Sequence, residues 1–167
     1  RFDCDALLTS NDDIALCVLT ADCAPILIYE TKKKIVGCIH AGWKGAFFGI
    51  IENTILKLSE MGGDKNKLAV TVGPCISQKN YEVKKDFFRR FVKKNKNNKK
   101  FFKMKKKMLF FNLSGYVKSQ LKLNKITNID LLNIDTFNNK NNFFSARRSL
   151  KLKHDDYGRN ISIIMIN

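Results

Sequence analysis

Long apolar runs are missing from this sequence: none approaches the roughly 20 residues that a helix needs to cross a bilayer, so no membrane partner is expected. The chain also starts without Met, a basic leader or a processing site, and its first eight residues read as structured chain. The expectation is a cytoplasmic protein that begins inside a larger domain. Linkers rich in Pro, Gly or Ser are absent, and no segment repeats. With 167 residues and 44% hydrophobic content, one core and one domain are expected. No Walker loop, dinucleotide fingerprint, serine elbow or His-Glu-x-x-His helix is present, which removes the commonest nucleotide, hydrolase and metalloprotease signatures. The cysteines (Cys4, Cys17, Cys23, Cys38 and Cys75) are odd in number and irregular in spacing, a pattern of reduced thiols rather than a disulfide framework.

Acidic residues are few, 15 against 31 Lys and Arg, for a formal charge of +16. Much of the excess sits in residues 93–107, a low-complexity stretch of Lys, Asn and Phe. Core-like patterning on both sides makes this stretch a basic surface insertion, a solvated loop. Aromatics interleave with the lysines, so a nucleic-acid-binding module stands as an alternative. No helix-turn-helix, RNA-binding signature or zinc finger accompanies it. No specific nucleic-acid partner is therefore expected, and any association with RNA would be electrostatic and dissolve with salt.

What is present is an alternation of strand-like and helix-like patterns. Residues 14–19, 26–29 and 35–39 read as three strands in succession, with Lys32, Lys33 and Lys34 as a hairpin turn. From about Ala46 the period changes to three and four, through Phe47, Ile51, Ile55 and Leu58, and Gly62-Gly63 closes this amphipathic helix. Residues 68–72 form the next strand. Helices are expected from Glu82 to about Lys93 and over residues 113–123, the latter capped by Asn112 or Ser114. Residues 129–134 and 161–166 complete the set as strands. Three strands without an intervening helix point to an α/β (α+β) fold with a mixed sheet flanked by helices.

Cys23 and His40 carry the strongest chemical signal. Each lies just past a strand end among small residues, and thiolate with imidazole suits zinc. Three readings remain open: a metal site, a Cys/His nucleophile pair, or unrelated core and loop residues. Whether the two side chains meet depends on how the strands pair. His154, the only other histidine, reads as a surface or substrate-side residue. Gly42 and Gly45 around Trp43 suit a turn into the helix, whose free amides could seat an anion, or a plain turn with Trp43 in the core. Cys75 follows Gly73-Pro74 in a turn, and Arg147-Arg148 could clamp phosphate or lie on the surface.

In order along nearly the whole chain, several segments resemble the laccase-domain family, also called YfiH-like or multicopper polyphenol oxidoreductase-like. They are Asp5-Ala6-Leu7, Thr20-Ala21-Asp22-Cys23-Ala24-Pro25, His40-Ala41-Gly42-Trp43-Lys44-Gly45, Gly73-Pro74-Cys75-Ile76, Tyr81-Glu82-Val83, Phe143-Phe144-Ser145-Ala146-Arg147-Arg148 and Tyr157-Gly158-Arg159-Asn160. The resemblance implies a YfiH-like fold spanning residues 1–167 that lacks its N-terminal third. It also implies a zinc site in which Cys23 and His40 are ligands and a first histidine precedes Arg1. The implied function is purine nucleoside phosphorolysis on adenosine, inosine, guanosine and methylthioadenosine, with adenosine deamination. The partners would be purine nucleosides and phosphate, and a homo-oligomer is allowed. Carried onto this chain, Arg147 or Arg148 would hold phosphate, with the helix start at residues 42–45 as the other seat. Asp22 would orient a ligand or move a proton, and Gly42, Trp43, Gly45 and Cys75 would face substrate. The alternative enzyme is a Cys/His hydrolase or deamidase-like protein with Cys23 as nucleophile. Polyphenol oxidation is disfavoured, because a multicopper centre needs many histidines and this chain has two. Asp135 stands where the family usually has Cys. This piece alone is expected to be inactive and to bind zinc weakly.

Overall fold

Near-continuous apolar strands form where both faces of a sheet are covered, and the two central strands here are of that kind. In a computed structural model describing residues 4–167, β1 (Ala6–Thr9), β2 (Leu16–Thr20), β3 (Ala24–Glu30) and β4 (Ile35–Ala41) follow one another without a helix. Then come α1 (Trp43–Phe48), α2 (Ile50–Glu60), β5 (Leu68–Val72), β6 (Glu82–Val83) and α3 (Lys85–Lys94). The chain ends with β7 (Phe102–Lys105), β8 (Met108–Phe111), α4 (Leu113–Leu123), β9 (Ile129–Leu131), α5 (Ala146–Lys151) and β10 (Asn160–Ile164). The main sheet has the order β1-β4-β3-β5-β9, antiparallel except for the parallel β5–β9 pair. A β2–β10 ribbon and a small β6-β8-β7 sheet stand apart from it. The mixed, helix-flanked architecture agrees with the sequence reading. The reading of Arg1, Phe2 and Asp3 as structured chain lies outside the described residues.

Strand periodicity of two sorts the core into layers. Ile26 and Ile28 of β3, with Ile35 and Ile39 of β4, face Ile51, Ile55 and Leu58 of α2 and Val117 and Leu121 of α4. The alternate residues Leu27, Tyr29, Val36 and Cys38 face Leu16 and Val18 of β2 and Ile164 of β10. Each fully buried Ile, Leu or Val among them contributes about 1.5–3 kcal/mol. Glu30 is also fully buried, at the end of β3. Its carboxylate accepts from the amides of Lys32 and Lys33 and so closes the expected hairpin turn.

Three expectations are corrected. The helix expected from Ala46 begins at Trp43 and breaks at Gly49, whose φ of 94° lies in the left-handed region that glycine tolerates. The helix expected from Glu82 starts at Lys85, because Glu82 and Val83 pair with Phe110 and Leu109 as a short strand. Residues 93–107 are not a solvated loop. They hold the end of α3, a 3-10 helix (Lys96–Phe101) and most of the β7–β8 hairpin, with Asn98 and Phe101 buried. Phe91, Phe102, Phe111 and Tyr116 pack there in tilted and edge-to-face contacts with centroids 4.8–5.8 Å apart, and this aromatic core holds the lysine-rich segment in place.

Candidate active site around Cys23 and His40

The β3–β4 hairpin decides where the two candidate ligands stand. Pro25 pairs with His40 and Ala24 with Ala41, so Cys23, one residue before β3, comes opposite Gly42. Residues two apart share a face, which puts Cys23 and His40 on the same side. Gly42 contributes space here. A Cβ on it would stand 3.0 Å from the Cys23 Sγ and 3.9 Å from the His40 Nε2, so these two atoms lie within about 7 Å of each other. The hairpin that left their meeting open in the sequence is what brings them together.

Asp5 orients the imidazole. β1 lies along β4, with Ala6 opposite Ile39, and the Asp5 carbonyl accepts from the His40 amide at 2.7 Å. The Asp5 carboxylate sits 3.0 Å from His40 Nδ1. With Nδ1–H donated to Asp5, the Nε2 lone pair is the one facing the Gly42 gap, an arrangement common behind metal-binding histidines. Burial, then the Asp22 and Asp5 carboxylates, push the Cys23 thiol up to about 11.

Asp22 is a tie between distant segments. It is buried, with φ at 83°. One carboxylate oxygen accepts from the Thr136 hydroxyl at 2.7 Å and the other from the Arg147 amide at 2.6 Å, while its carbonyl accepts from the Ile76 amide. These bonds hold the chain around Cys23 against the segments at 76, 136 and 147.

Beside this cluster lies a recess of about 420 Å3, walled by Trp43, Tyr81, Phe87, Lys84, Asp86 and Arg147. The Arg147 guanidinium lies 5.3 Å over the Tyr81 ring and donates to the Glu82 carbonyl at 2.9 Å. Burial raises the Tyr81 hydroxyl pKa, Cys23 adds to the rise, and Arg147 opposes it. Trp43 packs on Phe87 at 4.9 Å, with Arg90 over its ring.

The remaining expected residues fare differently. Arg148 is corrected: its guanidinium donates to the carbonyls of Thr136, Phe137 and Phe143, so it binds backbone where it was expected to hold phosphate. Cys75, expected in an open turn facing substrate, is buried, and burial followed by Asp135, Cys23 and Asp22 raises its thiol to about 12. Gly45 packs inside α1, where a Cβ would touch Ile50 and the His40 carbonyl, so it serves close packing rather than substrate contact. The helix start at residues 42–45 belongs to this six-residue helix. His154 is exposed. Asp135 accepts from the Ser77 amide and hydroxyl, the Asn80 amide group and the Phe137 amide, tying residues 77–80 to the loop after β9. Sequence reasoning missed Asp5 and Tyr81 as site residues, although both lie in the motif segments. Among the described residues no group of three His, Cys, Asp or Glu side chains is placed to hold a metal ion.

Comparison with known proteins adds a second line of argument. The sequence profile described as multi-copper polyphenol oxidoreductase laccase matches residues 1–167. A purine nucleoside phosphorylase of Rickettsia conorii is 37% identical over 161 residues, covering 95% of this chain and 66% of that protein. One of Rickettsia prowazekii is 37% identical over 168 residues, covering 98% and 68%. The chain thus spans about two thirds of the length of these relatives. The crystal structure of the Bacillus licheniformis hypothetical protein YfiH matches with a TM-score of 0.86 at 26% identity, over 98% of this chain and 61% of that one. A Neisseria meningitidis protein matches at 0.83 and 27%, over 99% and 65%.

Proposed function

The chain belongs to the multi-copper polyphenol oxidoreductase laccase family, and from that premise we propose that it acts as a purine nucleoside phosphorylase with zinc held by Cys23 and His40. The observation that carries this reading is the convergence of Cys23 Sγ and His40 Nε2 on the gap at Gly42, beside an aromatic recess containing Arg147. Relatives named purine nucleoside phosphorylase support the substrate class. The substrates are adenosine, inosine, guanosine and methylthioadenosine, with phosphate, and adenosine is also deaminated.

A thiolate and an imidazole whose other nitrogen is held by a carboxylate fit zinc by donor chemistry. The proposal requires a third donor from outside residues 4–167. Bound zinc would supply Lewis-acid polarisation, the chemistry that opens C6 of adenine to water. The chain's own groups do the rest. Asp5 keeps His40 in one tautomer. Trp43, Tyr81 and Phe87 offer faces against which a purine can stack. Arg147, steadied by Tyr81 and the Glu82 carbonyl, presents a fixed positive charge for phosphate attacking C1′ of the ribose. The Cys/His hydrolase reading makes Cys23 a free nucleophile, and tight stoichiometric zinc in the active protein would count against it.

A protein carrying this chain at the full length of its relatives, incubated with inosine and phosphate, is expected to release hypoxanthine and ribose 1-phosphate, and with adenosine to give adenine together with inosine, whereas residues 1–167 alone are expected to be inactive. Cys23→Ser and His40→Ala should each lower both rates at least about 100-fold and reduce zinc per chain. Unchanged rates in both variants would remove the site.

A further inference from the structure

Residues 84–125 hold 16 of the chain's 31 Lys and Arg residues but only one of its 15 Asp and Glu residues, Asp86, so 15 of the 16 net positive charges sit there. They lie on ordered elements: α3, the 3-10 helix, the β7–β8 hairpin and α4, joined by the aromatic core. All are exposed except Lys118, which is half-buried. Among the described residues the Lys and Arg ion pairs are Lys57–Glu60 and Lys79–Asp135, and none of the sixteen takes part. Such a surface repels itself, and nothing within the described chain neutralises it.

The charge also has a shape. A groove of about 400 Å3 next to α4 is lined by Lys100, Phe101, Gly115, Lys118, Lys122 and Leu123, three ammonium groups with no carboxylate among them. The 3-10 helix that contributes Lys100 runs directly into β7, with Lys103 and Lys105, and then into the turn at Lys106 and Lys107.

We infer that this surface binds single-stranded nucleic acid without base selectivity, with backbone phosphates in the Lys100–Lys118–Lys122 groove and along the β7–β8 hairpin. Lys100, Lys118 and Lys122 line one recess and Lys103, Lys105, Lys106 and Lys107 follow along the hairpin, a spread of cations that suits a string of phosphates. The exposed Met104 and Met108 beside the hairpin turn make anionic vesicles the comparison the test must include. Affinity on such a cationic surface comes from counterion release and depends steeply on salt. This surface is independent of the nucleoside reading.

The test is fluorescence anisotropy of labelled oligo(U) and oligo(dT) titrated with the protein between about 50 and 200 mM salt. Binding that weakens log-linearly with salt is expected. Replacing Lys100, Lys118 and Lys122 together by Gln should weaken it about tenfold and flatten the salt slope by about 2, since each neutralised phosphate contributes about 0.7. A charge-matched control with Lys32, Lys33 and Lys34 replaced by Gln should bind like the parent, and circular dichroism should match for all three proteins. Nucleoside turnover should be the same in the groove variant and the parent. No binding at the lower salt, equal losses in both triple variants, or binding to phosphatidylserine vesicles but not to oligonucleotides would overturn the inference.

Discussion

The gap at Gly42 is the smallest feature on which the site depends. Ala there would put a methyl 3.0 Å from the Cys23 sulfur and close to the His40 Nε2. The backbone at Gly42, with φ at −69°, suits any residue, so the cost falls on the site rather than on the chain path. Gly42→Ala should cut turnover by about 10–100-fold, the scale expected when reacting groups are displaced by a fraction of an ångström to one ångström, with little change in melting temperature. Parallel melting curves and kinetics would check this, and wild-type turnover would show that the gap is not needed. Asp135 is the counterpart for stability. Burial alone pushes its carboxyl up, but hydrogen bonds from the Ser77 hydroxyl and amide, the Asn80 side chain and the Phe137 amide outweigh it and hold the group below its usual 3.8. A depressed folded-state pKa stabilises above 3.8 and loses that contribution as pH falls through the lower folded value. Asp135→Ala should therefore cost about 1–3 kcal/mol at neutral pH. Its deficit in urea midpoint should shrink as the solution is acidified below that range, and a deficit constant with pH would refute the ionised-acceptor role.

At the scale of elements, the pattern-based reading was accurate where contacts are local. α4 spans the expected residues 113–123 and is capped by Asn112, whose side chain accepts from the Gly115 amide. β5 also matches its expected residues 68–72. Errors arose where a partner far along the chain decides the outcome. Glu82 and Val83 continue a helical pattern on paper, yet pairing with β8 takes them into a strand. Residues 93–107 looked solvated because lysine and asparagine mask the spacing of Asn98, Phe101 and Phe102, which turn inward. The aromatic core that these residues join centres on Phe91, which is fully buried, stacks on Phe87 at 4.7 Å and meets Phe47 at a tilt at 4.8 Å. Phe91→Ala should destabilise by about 3–5 kcal/mol and loosen the lysine-rich hairpin. Faster amide exchange confined to β7 and β8 at sub-denaturing urea would be the readout, and an unchanged exchange pattern would argue that the hairpin stands alone.

For the whole molecule, charge is distributed unevenly enough to affect stability. With 15 of 16 net charges on residues 84–125, self-repulsion is strongest in one part of the fold. Screening over a Debye length of about 10 Å at 0.1 M salt should relieve it. The melting temperature should therefore rise as salt is increased from about 0.01 to 0.1 M. Replacing Lys103, Lys105, Lys106 and Lys107 by Gln should remove much of that dependence. A melting temperature that ignores salt would show that the charges are already compensated.

Sequence by itself determined the features set by neighbours along the chain: the run of strands, the helix at residues 113–123, the hairpin turn at the lysines after Glu30, and the candidacy of Cys23 and His40. Tertiary structure alone decided which groups stand around that pair. Asp5 meets His40 across 35 residues of chain. Thr136 and Arg147 meet Asp22 across 114 and 125. Periodicity reports which face a residue presents but not which distant segment arrives there. Arg147 at the aromatic recess and Arg148 bonded to the carbonyls of Thr136, Phe137 and Phe143 are therefore indistinguishable in sequence and different in structure. Strand pairing and the aromatic core set those meetings, because they fix the relative positions of segments that the chain leaves far apart.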